Sequence, residues 1–245
     1  MRNKPAICLA AIALAAFAAC ADPTRGEAEP FCPESHFLHE LIDGGDAVMI
    51  TGYVGGRTDV RIPPYIQGLP VTAIGDRAFE GKWIWTEEPS FSPDGNGSGD
   101  GYWEGQLASV VIPNNVTSVG LLAFAGNQLI NVFIPNSVTY IGELAFANNR
   151  LTSVTIGNGI VGISGGAFAN NQIANITIPD SVIGIGSWAF RNNNLTSVNI
   201  PFSITYIGAF AFYRNQLTNV IIPNREVHVD EQAFDPWVAI TMGTD

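Results

Sequence analysis

The residues able to do acid–base, nucleophilic or metal chemistry are few, and their spacing brings few of them together. The three histidines are His36, His39 and His228. His36 and His39 stand beside Glu40 in "HFLHE", which is not the helical His-Glu-x-x-His pattern that sets two imidazoles on one zinc ion. Further on, Asp94, Asn96, Ser98 and Asp100 alternate with glycine, and Gly99 falls where a calcium loop would bend. The bidentate carboxylate such a loop needs in its twelfth place is missing, because Gly105 stands there and Glu104 comes one residue early. No phosphate loop or dinucleotide fingerprint is present, and no serine is read as a nucleophile elbow: Ser164, in "ISGG", replaces a repeat glycine. The expectation is a chain with no catalytic residues, no metal site and no cofactor, and so not an enzyme.

The cysteines point to export rather than redox work. The opening "MRNKPAICLAAIALAAFAAC" carries Arg2 and Lys4, then an apolar run from Ala6 to Ala19 that is short for a bilayer span. It reads as a secretory signal peptide over residues 1–19. Its end, "FAAC", resembles the lipobox of bacterial lipoproteins, with Phe17 in place of the usual leucine. That resemblance implies a lipidated Cys20 and a Pro- and Glu-rich tether over 20–35. With Cys8 lost and Cys20 acylated, Cys32 has no partner for a disulfide, and no cysteine cluster suggests zinc.

Of the 245 residues 47% are hydrophobic and 13% charged, enough apolar material for a core and too much for general disorder. The formal charge is −11, and losing Arg2 and Lys4 with the signal would make it −13. Nucleic acid and anionic lipid surfaces are poor partners for such a chain. The acids are unevenly placed, since Leu107 to Gln216 holds only Glu143 and Asp180.

What positions these residues is a repeat of 22, visible in "AFANN" at Ala145 and again at Ala167. Copies start at Leu107, Leu129, Leu151, Ile173, Leu195 and Leu217. The fourth place is Val or Ile and the sixth is always Ile, from Ile112 to Ile222, which makes a short half-buried strand. Pro ends that strand in five copies and Gly157 in the third, because proline cannot donate to a ladder. Further apolar places fall at ten and thirteen, and Phe at eighteen is invariant: Phe124, Phe146, Phe168, Phe190, Phe212 and Phe234. No helical period is sustained. A single unit cannot bury its apolar face, whereas a stack of coils can, with strands about 4.8 Å apart and the Phe rings in an offset ladder. Asn at place twenty-one, from Asn127 to Asn215, should support the return by left-handed geometry or by side-chain bonds to the backbone.

The pattern L-x-x-V-x-I-P-x-x-V-x-x-I-G followed by A-F resembles the BspA-like, treponemal-class leucine-rich repeat of bacterial envelope proteins, over roughly Val48 to Val238. The resemblance implies a solenoid of 22-residue coils with a parallel β-sheet on the concave face and a helix-poor convex side. A β-hairpin turning at Asp43 to Asp46, followed by a first repeat, forms an N-terminal cap unit over 36–80. In that first repeat Val60, Ile62, Val71, Ile74 and Phe79 take the apolar places around a five-residue insertion. A Trp- and Gly-rich loop then interrupts at 81–106, six repeats fill 107–238, and 239–245 closes a polar final cap.

With places four and six pointing inward, three and five must face outward on the concave sheet. Candidate contact residues are therefore Ser109, Asn131, Ser153, Asn175, Ser197 and Asn219 at place three, and Val111, Phe133, Thr155, Thr177, Asn199 and Ile221 at place five. Trp83, Trp85 and Trp103 on the inserted loop are a second candidate anchor. The family resemblance implies binding of protein or glycan partners, host or bacterial, in adhesion at the outer surface, with the membrane reached through the lipid anchor. A periplasmic protein that assembles envelope components is the alternative.

Overall fold

A computed structural model describes residues 31–85 and 101–243. The signal, Cys20 and the Asp94 to Asp100 stretch lie outside the described residues. The chain is a parallel β-solenoid of about eight turns with coils of about 22 residues. Helix is confined, among the described residues, to the short 3-10 turns Glu34–His36 and Asp43–Gly45.

Each coil contributes to two ladders. The first follows the expected strand: Asp59–Arg61 pairs with Ser109–Val111, Asn131–Ile134 with Ser153–Ile156, and Asn219–Ile222 with Ala239–Met242, all parallel. A bridge between Thr177 and Asn199 continues it across the intervening coils. Burial alternates along Asn131–Ile134 and Ser153–Ile156 as exposed, buried, exposed, buried, the period of two that a half-buried strand requires. A second ladder, which the sequence reading does not foresee, runs through two-residue strands at places twelve and thirteen. It joins Ser118–Val119 to Tyr140–Ile141, and Gly162–Ile163 to Gly184–Ile185, Tyr206–Ile207 and His228–Val229.

The N-terminal end is closed by an antiparallel hairpin of Phe37–Ile42 and Ala47–Tyr53. Its second strand pairs in parallel with Leu69–Ile74 and so joins the second ladder. The turn uses Gly44 and Gly45 at φ 74° and 104°, values that side-chain-bearing residues rarely adopt. The insertion in the first coil folds as a tight antiparallel return, Tyr65 opposite Pro70 and Ile66 opposite Leu69.

The interior is a single apolar column. Seven rings from Phe79 to Phe234 stack at centroid separations of 5.0 to 5.6 Å, with interplanar angles of 13° or less. At the hairpin end Phe37 meets Phe79 edge-on at 6.3 Å, which closes the column with a ring of different orientation. Cys32 is buried in the same core, its amide bonded to Arg61 O at 3.0 Å, so packed structure begins by residue 32.

Beside the rings runs a buried row of amides. Asn149 Oδ1 accepts from Leu129 N at 3.0 Å, while its Nδ2 donates to Phe124 O of the preceding coil at 2.9 Å and to Phe146 O and Ala147 O at 3.2 Å. Asn171 and Asn193 repeat the arrangement, which ties each coil to its predecessor. Side-chain bonding is thus the role of place twenty-one. Left-handed geometry belongs to place twenty, where Asn148, Asn170 and Asn192 have φ of 55° to 57°. The row ends at Asp235, whose carboxylate accepts from Arg214 N and Asn215 N at 3.1 and 3.2 Å.

Between the first and second coils the stack is unbroken, Phe79 lying 5.0 Å from Phe124, although 26 residues separate Gly81 and Gln106 inclusive. The insert leaves through a narrow neck. Gly81 and Gly105 both press on the carbonyl of Gly126, leaving no room for a Cβ on either. Beyond the neck the backbone runs as an antiparallel pair, Trp83–Trp85 against Gly101–Trp103, where the sequence leads one to expect a loop. The side chains of these tryptophans lie outside the described residues.

Candidate functional site

The first ladder presents one continuous outward surface. Every candidate at places three and five is exposed, including Phe133 at 57% and Ile221 at 60%. Parallel register sets Asn131 beside Ser153, Phe133 beside Thr155 and Thr177 beside Asn199. Neighbouring strands in such a ladder lie about 4.8 Å apart, so the face offers a rung of hydroxyl or amide groups at each step. The apolar groups Val111, Phe133 and Ile221 punctuate it. From Ser109 to Ile221 the two rows contain no charged residue. At the hairpin end the surface changes: Asp59 and Arg61 take places three and five of the first coil, and Ser109 Oγ donates to Asp59 Oδ1 at 2.6 Å. That charged end escapes a reading that starts from the regular copies.

Chemistry of other kinds finds no assembled set. His39 Nδ1 lies 3.1 Å from Phe37 O, and the His36 ring stands 6.3 Å from Tyr53, so "HFLHE" is distributed along the cap hairpin. Among the described residues no group of three or more His, Cys, Asp or Glu could hold a metal ion. Gly162 to Gly166 do spell the letters G-x-S-x-G, a match the repeat register conceals. Here, however, Ser164 lies in a coil turn rather than between a strand and a helix, and its Oγ donates to Ile141 O. An elbow serine instead projects its Oγ freely at a helix start. No helix among the described residues is long and apolar enough to cross a membrane.

The second ladder carries an outward row of its own that sequence reasoning misses. Tyr140 is 54% exposed and Tyr206 is 42% exposed, and Tyr206 stacks on His228 at 5.7 Å. Two-residue strands give no period to detect. The usable signal was aromatic residues immediately before the inward Ile of place thirteen.

The sequence profile of the BspA type leucine rich repeat region matches this chain in six copies, over residues 100–172 and 161–241. No curated protein matches it. Among solved structures, a leucine-rich repeat protein from Bacteroides ovatus is 21% identical, over 84% of this chain and 66% of that one, with a TM-score of 0.47. The T. pallidum leucine rich repeat protein is also 21% identical, over 86% of each chain, at 0.45. The pneumococcal vaccine antigen PcpA is 16% identical, over 79% of this chain and 64% of that one, at 0.48.

Proposed function

Since this chain belongs to the BspA-type leucine-rich-repeat family, we propose that it is an exported, lipid-anchored envelope protein that binds protein or glycan partners through the outward face of its first ladder, in adhesion at the cell surface. The observation that carries this reading is the unbroken uncharged row from Ser109 to Ile221 on a chain of net charge −11. A solvated face on so acidic a protein has no need to be free of charge. A surface that desolvates against a neutral partner does, because burying an unpaired charge is costly. Hydroxyl and amide groups supply directional hydrogen bonds, and Phe133, Val111 and Ile221 supply apolar area. Cys20 would provide the anchor, and Trp83, Trp85 and Trp103 of the 81–106 insert would add a second contact.

An array of extracellular-matrix proteins and glycans probed with the purified chain tests the reading. A triple substitution, Phe133→Lys, Asn175→Lys and Asn199→Lys, is expected to weaken binding to any captured partner at least tenfold. Its circular dichroism should be unchanged, since all three side chains are exposed. Undiminished binding by the triple variant would place the contact elsewhere on the molecule.

A further inference from the structure

An open groove of about 450 Å³ lies on the second ladder, beside the cap hairpin and away from the face just discussed. Its shape follows from side-chain size in register: Met49 pairs with Ala73, Ala73 with Ser118, and Ser118 with Tyr140. Two small residues thus form a bay walled by two long ones, and half of the Tyr140 side chain is open to solvent. Glu40, opposite Met49 in the hairpin, and Asp76, at the bend after the strand, add two carboxylates to the lining, which includes no Lys, Arg or His.

The carboxylate of Asp76 is held before any guest arrives. Its Oδ1 accepts from Leu121 N at 2.8 Å, and the adjoining Gly120 lets the chain pass so closely that an added Cβ would stand 2.5 Å from that oxygen. Arg77, next to Asp76, is directed elsewhere, with its guanidinium paired to Glu80 at 3.0 Å. Glu143 occupies the same bend two coils further along, three residues after Tyr140.

We propose that this groove binds the cationic end of an arginine or lysine side chain presented by a protein partner. The cation would lie beside Asp76 and toward the Tyr140 ring, with its methylene stem over Met49 and Ala73, while Glu40, beyond Met49 and four strands from Tyr140, adds negative charge at the far rim. Charge complementarity favours this occupant: two carboxylates without a neutralising base repel anions, and the net charge of −11 draws cations from a distance. An aromatic face attracts a guanidinium or ammonium through its quadrupole, and a long aliphatic stem suits the thioether and methyl groups below it. Arginine is the better guest, because its planar fork bonds a carboxylate in two places and stacks on a ring.

The test is fluorescence anisotropy of the purified chain with a fluorescein-labelled Gly-Arg-Gly-Arg-Gly peptide and with its counterpart carrying neutral citrulline for each arginine. The arginine peptide is expected to bind at least tenfold more tightly, with affinity falling as salt rises. Asp76→Asn, which keeps an acceptor for Leu121 N, and Tyr140→Ala should each weaken it at least threefold, while Glu226→Gln at the far end of the stack and Phe133→Ser on the first ladder leave it within twofold. Equal binding of the two peptides, no binding at low salt, or equal losses from Glu226→Gln and Asp76→Asn would each overturn the proposal. Because Phe133→Ser is silent here and damaging on the first ladder, failure of one site is separable from failure of the other.

Discussion

The buried asparagine of each coil makes two links with one amide: its oxygen accepts from the backbone N–H that opens its own coil, and its nitrogen donates to a carbonyl of the coil before. Only an amide can do both. At Asn171 the Nδ2 donates to Phe146 O, Phe168 O and Ala169 O at 3.0 to 3.2 Å. Asn171→Asp would turn a carboxylate oxygen toward those three carbonyls, and a cost of about 3 kcal/mol or more is expected in urea denaturation, since a buried charge is left facing acceptors. Asp235 is the informative contrast. It sits where the row ends and receives two amide hydrogens, a place that asks for acceptors alone. Phe168, fully buried mid-column, makes the apolar counterpart. Phe168→Ala should lower stability by about 3 to 5 kcal/mol, and a melting temperature within a degree or so of the parent would contradict the stacked column.

Elements differ in how plainly the sequence displays them. The first-ladder strands and the Phe column were legible because the place of Val110 is Val or Ile in all six copies, those of Ile112 and Phe124 are always Ile and Phe, and periodic burial leaves a periodic trace. The outward row of candidate contacts follows from the same alternation. The second ladder was not legible: Ser118–Val119 and its equivalents are two residues long, too short to alternate, and they exist because stacking brings them together. The pairing of Asn148 with Asn149 hid which of the two takes the left-handed conformation. Both suit a turn, and only the path of the chain assigns them. The strand pair beyond the neck was masked by its tryptophans and glycines, which suggest a surface loop. That neck yields a sharp expectation. A Cβ on Gly81 would lie 2.9 Å from the Cα of Gly105, so the two ends of the insert nearly touch. Removing 82–104 and joining Gly81 directly to Gly105 should leave the circular dichroism and melting temperature nearly unchanged. Loss of folding would mean that the insert contributes to the core.

At the scale of the whole molecule, stability and recognition draw on different forces. Rings and amides hold the column, and the ion pair between Arg77 and Glu80 lies at its surface. Charge is left for the rim, where Glu40 and Asp76 face outward. Triple lysine substitution on the first ladder and peptide binding at the groove therefore probe surfaces that the column supports equally. The ladders run across the coils, so their hydrogen bonds, like the Asn links, point along the long axis. A pull between the two ends loads those bonds head-on, one coil at a time. Each coil that yields releases about 22 residues, or about 75 Å of slack at full extension. A solenoid pulled in this way is expected to lengthen by discrete steps, and the coils that have not yielded keep their outward rows in register.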